Sequence, residues 1–326
     1  MKRNRGSIRN ALRAGGRPAR PAWAVAAGAA AVVVLAATGC TSSPAAASSA
    51  GGVINAVGAE NEYANVLGQI GGKYVHVSAI LDNPNTDPHT FEASPQVAQE
   101  VSSAKLIVQN GVGYDSWISK IESASPSSER KVIVVQNLLG LPDSTPNPHL
   151  WYDPRTMPAA AKAMADDLSA IEPAHKAYFQ ANLSTFDSSL KPWLNAIAAF
   201  KAAHNGVTAA TTEPVADYLL TAMGIRNLTP FAFQADIMNG VDPSPEDIAL
   251  ENGFFSQHKV LVFAYNQQVV DTLTTSIRDN ALRDGVPVVG VYETMPTPGY
   301  DYQSWMLAEV HALEKAVTSK VSTQKL

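Results

Sequence analysis

Two runs of alternating strand-like and helix-like segments, separated by a stretch with no strand candidate, constrain the fold of this chain more than any other feature. In the first run, β-branched segments at residues 53–59, 75–81, 105–109 and 131–136 read as buried strands, each followed by polar or glycine punctuation. Helical patterns at residues 62–70, 95–103 and 114–121 lie between them. Such alternation argues for a parallel sheet covered on both faces. From Pro154 to about His204 the chain is Ala-rich, and apolar residues recur at helical spacing: Met164, Leu168, Ile171, then Tyr178, Leu183, Phe186, Leu190, Leu194 and Ile197. Pro173 suits a helix first turn, so one helix ends near Ile171 and a longer one begins there; Pro192 should kink or split the second. After Gly206 the alternation resumes, with strands at residues 207–212, 259–264 and 286–292 and helices at residues 214–223, 245–256, 267–282 and 302–318. The fold class expected is α/β: two βα lobes with parallel four-stranded sheets, at residues 53–153 and 206–326, joined by one long helix within a helical region at residues 154–205.

The first forty residues read as a targeting segment. Lys2, Arg3, Arg5, Arg9, Arg13, Arg17 and Arg20 form a basic head with no acidic residue before Cys40. The apolar stretch from Ala22 to Ala37 is short for a membrane span of about 20 residues. It ends in LAATGC at residues 35–40, which resembles a bacterial lipobox. The expectation is a signal peptide at residues 1–39, lipidation of Cys40, and a flexible lipid-anchored tether at residues 40–52, where small polar residues show no periodicity. The chain would then be extracytoplasmic and anchored to the cell membrane; the bland alternative is a cleaved signal or an uncleaved anchor with an incidental cysteine. Cys40 is the single cysteine, which excludes intrachain disulfides and thiolate metal sites alike. Removing residues 1–40 takes the formal net charge from −5 to −12, a poor match to nucleic acid and a tolerable one to cations.

Five of the seven histidines have bland readings. His175, His204 and His311 lie on helical patterns, His258 just past one, and His76 in a strand. His89 and His149 differ in their surroundings. Each sits in a Pro-rich loop after a strand, and each precedes a helix start, where Ser94-Pro95 and Asp153-Pro154 put an N-cap residue before a first-turn proline. A histidine held in a stiff loop beside a rigid helix is pre-organised as a ligand should be. Loops beyond strand C-termini are also where open α/β sheets bind ligands. The second run offers two carboxylates in similar places, Glu213 before Pro214 and Glu293 at the end of the last strand. Glutamate at a helix N-terminus is also common with no metal present, because it complements the helix dipole.

Residues 87–95 (DPHTFEASP), 104–117 (AKLIVQNGVGYDSW) and 147–154 (NPHLWYDP), together with the lipobox, the mid-chain helix and YQSWM at residues 302–306, resemble the zinc- and manganese-specific solute-binding proteins of ABC importers. The resemblance implies four side chains from four loops holding one metal between two lobes joined by a rigid helix. It matches His89 and His149 to the family's two histidines. Glu213 matches the third ligand, histidine in many zinc members and glutamate in many manganese members; Glu293 matches the fourth, where aspartate is usual. It further implies a monomer that hands one ion, Mn²⁺ or Zn²⁺, to a permease subunit, with no nucleic acid partner and no enzymatic activity. The donor types pull both ways. Carboxylates suit manganese, yet zinc intrinsically outcompetes manganese at most nitrogen and oxygen sites. Residues 123–146 contain no His-rich tract, which many zinc members carry, and donor hardness leans toward manganese. Two readings compete. A two-histidine, one-carboxylate set could serve a metalloenzyme, which would need a substrate pocket beside an open metal position. A surface adhesin stabilised by its metal is the other.

Overall fold

The computed structural model describes residues 52–326. The expected signal peptide, Cys40 and nearly all of the tether lie outside the described residues. The first sheet comprises β1 (Ile54–Glu60), β2 (Val75–Leu81), β3 (Leu106–Gln109) and β4 (Lys131–Val134), all parallel, in the order β2-β1-β3-β4. Its helices are α1 (Asn61–Gly71), α2 (Pro95–Ser103), α3 (Ser116–Ala124) and the short α4 (Val135–Leu138). Helix α2 starts as its sequence dictates: the Ser94 side chain accepts the Val97 N–H at 3.3 Å and Pro95 opens the first turn. At the β1–α1 junction a Cβ on Gly58 would lie 2.4 Å from the backbone nitrogen of Ala64, so only glycine lets the helix double back this closely.

Three helices carry the chain out of this lobe: α5 (Thr156–Ile171), α6 (Lys176–Ser189) and α7 (Lys191–His204). Helices α6 and α7 meet with only Leu190 between them, forming a rod of roughly 40 Å. Leu190 stays helical in backbone conformation, donating to Phe186 O at 3.2 Å and accepting from Leu194 N–H at 3.1 Å. Pro192 has no N–H to give the Ser188 carbonyl, so the predicted long helix divides there. The rod spans the lobes, with α6 against α5 and α1, and α7 against the final helix.

The second sheet repeats the first: β5 (Thr208–Thr211), β6 (Arg226–Asn227), β7 (Val262–Asn266) and β8 (Val288–Val291), parallel, in the order β6-β5-β7-β8. Its helices are α8 (Asp217–Ala222), α9 (Phe231–Met238), α10 (Pro245–Ser256), α11 (Thr272–Arg283) and α12 (Tyr302–Ser319). Strand β6 and helix α9 are absent from the sequence reading, which finds three strands here. Helix α8 starts at Asp217 rather than Pro214, because the Pro214 carbonyl accepts the Asp217 N–H at 3.2 Å and the Asn147 side chain at 2.7 Å in a turn. Helix α11 starts at Thr272, well inside the expected span, where Asp271 and Thr274 form a capping box. Helix α5 likewise starts at Thr156; Asp153 accepts the Arg155 N–H at 2.9 Å and pairs with its guanidinium instead of capping at Pro154.

One hydrophobic core runs through both lobes and the helices between them, with Tyr63, Trp151, Trp193, Tyr302 and Trp305 fully buried in it. Smaller clusters fill the outer face of each sheet, around Val57 and Ile107 in one and Phe255 and Phe263 in the other. Polar contacts cross between the lobes at the C-terminal ends of the strands. Asn61 donates to Met295 O and accepts Met295 N–H, both at 2.9 Å. The Tyr152 hydroxyl donates to Tyr292 O at 2.9 Å, and that of Tyr302 to Trp151 O at 2.6 Å. The loops beyond both sheets are thereby pressed together, where open parallel sheets bind ligands.

Candidate metal centre

Each site residue leaves a strand end and is held by a local polar turn. Beyond β2, the Asp87 carboxylate accepts the His89 N–H at 2.8 Å, and Pro88 opens the single 3-10 turn that carries the ring. Beyond β4, Asn147 Oδ1 accepts the His149 N–H at 3.0 Å. Glu213 lies two residues past β5 and Glu293 two residues past β8. The Glu293 N–H donates to Gln268 Oε1 at 2.7 Å.

Three of the four expected ligands converge directly. His89 Nε2 lies 3.0 Å and His149 Nε2 3.1 Å from Glu293 Oε2, and one ligand atom from each of the three falls within 4.8 Å of the others. Glu213 is not in that group but is tied to it. Asn266 Nδ2 donates both to Glu213 Oε1 at 2.9 Å and to Glu293 Oε1 at 2.7 Å. Glu213 is 2% exposed, and its Oε2 is buried without a hydrogen-bond partner, a costly state unless something positive meets it. Histidines 76, 175, 204, 258 and 311 stay outside the cluster; His175 stacks on Tyr74 with ring centroids 3.6 Å apart.

The tautomer of His149 follows from its neighbours. Asn147 Nδ2 faces the Pro214 carbonyl at 2.7 Å, and Oδ1 faces the His149 N–H, so the amide cannot be flipped. His149 Nδ1, 2.8 Å from that same Oδ1, must carry the proton. Burial pulls the His149 pKa below its usual value, and Glu293 opposes this. The His149 Nε2 faces the Glu293 carboxylate at 3.1 Å. Burial alone would raise the Glu293 pKa, but the two imidazoles reverse this and hold it well below the usual carboxylate range. With Nδ1 committed to Asn147, Nε2 is the ring nitrogen His149 can offer a metal, and the buried Glu293 carboxylate beside it needs a cation.

His89 supplies one when no metal is bound. Burial opposes its charge, but Glu293 and then Glu213 and Asp87 outweigh burial and push its pKa up to about 9. Glu213 is pushed well above the carboxylate range by burial and by the Glu293 charge, so it stays protonated. The metal-free cluster is therefore close to neutral, with one imidazolium facing one carboxylate. A divalent ion that displaces the protons of His89 and Glu213 restores the same balance.

Three residues that the sequence reading does not single out complete the site. The Tyr114 hydroxyl donates to Glu293 Oε2 at 3.0 Å, Asn147 sets the His149 tautomer, and Asn266 bridges the carboxylates. Asn147 and Tyr114 fall inside the motifs quoted above, whereas Asn266 ends a strand with no motif to mark it. A cavity of about 370 Å³, lined by His89, Tyr114, Trp117, Lys120 and Met238 among others, opens beside His89. His149, Glu213 and Glu293 do not line it. The cluster thus has an approach from one side through His89, whose side chain is 25% exposed, and closed walls behind.

Comparison with known proteins narrows what such a site belongs to. The manganese ABC transporter substrate-binding lipoprotein PsaA of Streptococcus pneumoniae is 28% identical over 206 residues, covering 57% of this chain and 63% of the relative. The metal ABC transporter substrate-binding lipoprotein FimA of Streptococcus parasanguinis is 26% identical over 215 residues, covering 60% and 67%. The chain thus spans about two thirds of the length of these curated relatives. Among solved structures, the periplasmic zinc binding protein TroA from Treponema pallidum shares the fold, with a TM-score of 0.68 at 18% identity over 82% of this chain and 98% of that one. A laminin-binding adhesin, Lmb from Streptococcus agalactiae, shares it to the same TM-score of 0.68, at 18% identity over 81% of this chain and 100% of that one. The model of the ZnuA family, zinc-uptake complex component A, periplasmic, matches residues 58–316, and the chain belongs to that family.

Proposed function

We propose that this chain captures one divalent transition-metal ion, Mn²⁺ or Zn²⁺, outside the cytoplasm and delivers it to the permease of an ABC importer. His89, His149, Glu213 and Glu293 are the protein ligands in this reading, and Cys40 carries the lipid that keeps a monomeric chain at the membrane. The observation that carries it is the convergence of ligand atoms from His89, His149 and Glu293 within 4.8 Å of one another, with the buried, unpartnered Glu213 carboxylate tied to them through Asn266. The family match supports uptake as the purpose, and the relatives named as manganese and metal ABC transporter lipoproteins support the importer and the anchor.

Binding rather than turnover suits the geometry. Four protein ligands fill a tetrahedral centre and leave no position for an activated water. The cavity beside the site touches His89 but none of the other three ligands, so a substrate lodged there would meet the edge of an imidazole and not an open face of the metal. The metalloenzyme reading loses ground on that count. Release requires the lobes to part, since His89 and His149 come from one and Glu213 and Glu293 from the other. Likeness to an adhesin at 18% identity carries the fold alone and gives no ground for adhesion by this chain.

Substituting alanine for His89 or His149 should each lower zinc and manganese affinity by orders of magnitude while leaving the metal-free chain folded, with a lower melting midpoint because Glu293 loses a buried partner. Isothermal titration of the mature chain with each metal is the measurement. Affinity unchanged by either substitution would remove that residue from the ligand set and, for His149, the reading with it.

A further inference from the structure

We infer that Asn266 sets the metal preference of the site by disfavouring two-oxygen binding of the metal by either carboxylate. The inference rests on the metal-capture reading above. Asn266 is fully buried at the end of β7, and three contacts fix its amide. Its Oδ1 accepts the Gln268 N–H at 3.0 Å, so its NH₂ group must face the other way. The two hydrogens of that group go to Glu213 Oε1 at 2.9 Å and Glu293 Oε1 at 2.7 Å. One amide therefore occupies one oxygen of each acid.

What remains is Oε2 on both sides. Glu293 Oε2 faces the two imidazole Nε2 atoms and accepts the Tyr114 hydroxyl, and Glu213 Oε2 is buried with no partner. An ion at the three converging side chains that also drew in Glu213 would meet two nitrogens and two single oxygens, a set of four. Each carboxylate oxygen keeps a second lone pair, but one held by a buried amide N–H is a weaker and less mobile donor, so Asn266 disfavours two-oxygen binding by either acid. Four-coordination is the arrangement zinc prefers, whereas manganese favours octahedral, oxygen-rich surroundings. Donor type alone leans toward manganese, and Asn266 tilts the site back toward zinc by capping the ligand count. Asn266 touches the ligands and not the ion, which makes it a positioning residue.

The expected behaviour is specific to coordination number. The mature chain loaded with Co²⁺ should show the intense visible absorption of a four-coordinate ion. In Asn266→Ala, and in Asn266→Ser with its single donor, the bands should weaken toward those of five- or six-coordinate cobalt. The zinc-over-manganese affinity ratio, from competitive titration, should fall in the same variants by about tenfold or more, the usual scale for losing a partner that orients a ligand. Folded variants that keep both the parent cobalt spectrum and the parent ratio would overturn the inference. So would weak, high-coordinate cobalt bands in the parent chain itself, which decides the matter even if both variants fail to fold. A parent chain that takes up none of the three metals would instead overturn the capture reading on which the inference stands.

Discussion

Among the individual residues, His89 and Glu213 carry the protons that a metal held by the proposed ligand set would displace. Glu293 and the other acids push the His89 pKa up to about 9, and burial with the Glu293 charge raises Glu213 well above the carboxylate range. Both groups are protonated near neutral pH in the metal-free chain and must be deprotonated as ligands, so uptake of one divalent ion should release about two protons. Calorimetry in buffers of different ionisation enthalpy counts them. Affinity should rise with pH up to about 9, where His89 loses its proton without help, and fall as the medium is acidified. Zero proton release would mean that one or both groups do not ligate. His149 contributes little to this count, because burial holds its pKa below the usual value.

At the level of elements, the parts that are long and apolar are legible in the sequence. Strands β1, β7 and β8 are almost wholly buried and β2 is buried at its C-terminal end, and the reading locates each within a few positions. Strand β6 has two residues, Arg226 and Asn227, and exists only through its pairing with Thr208 and Ala209. No local pattern can announce a strand that its neighbour defines. The helix starts at Thr156, Asp217 and Thr272 escape for a related reason. Proline marks where a helix is allowed to begin, but at Pro154 and Pro214 nearby polar groups draw the backbone into a turn first. The mid-chain proline is read correctly as a break, and the rod divides at Leu190. Of the site, the two histidines are legible from their stiff loops and the two glutamates from their place beyond strands. Asn266 is not, because its importance comes from facing two acids distant in sequence.

For the molecule as a whole, the shared core and the crossing polar contacts make the two lobes one cooperative body in the metal-free chain. Several acids are buried within it. Glu251 and Glu309 are pushed up to about 8 by burial, and Glu60 and Glu62 well above their usual value of 4.5. The folded chain keeps these protons in the window between about 4.5 and 8, while the unfolded chain has lost them, so stability falls as pH rises through that window. His89 adds to the same trend, since its stabilising charge is complete below about 6.5 and lost as pH rises through 9. His149, buried neutral, runs the other way below its ordinary value of 6.5. Melting curves of the metal-free protein should therefore show a lower midpoint at pH 8.5 than at pH 5.5; a flat or rising profile would mean these acids are hydrated or ionised in the fold.

The capture account stands on one ion held from both lobes at once. A crystal of the zinc-loaded chain, with anomalous scattering recorded on either side of the zinc edge, tests this most directly. The account predicts a single strong peak about 2.0–2.2 Å from His89 Nε2, His149 Nε2 and one oxygen each of Glu213 and Glu293. A peak bound by one lobe alone, or none among these four side chains, would contradict it.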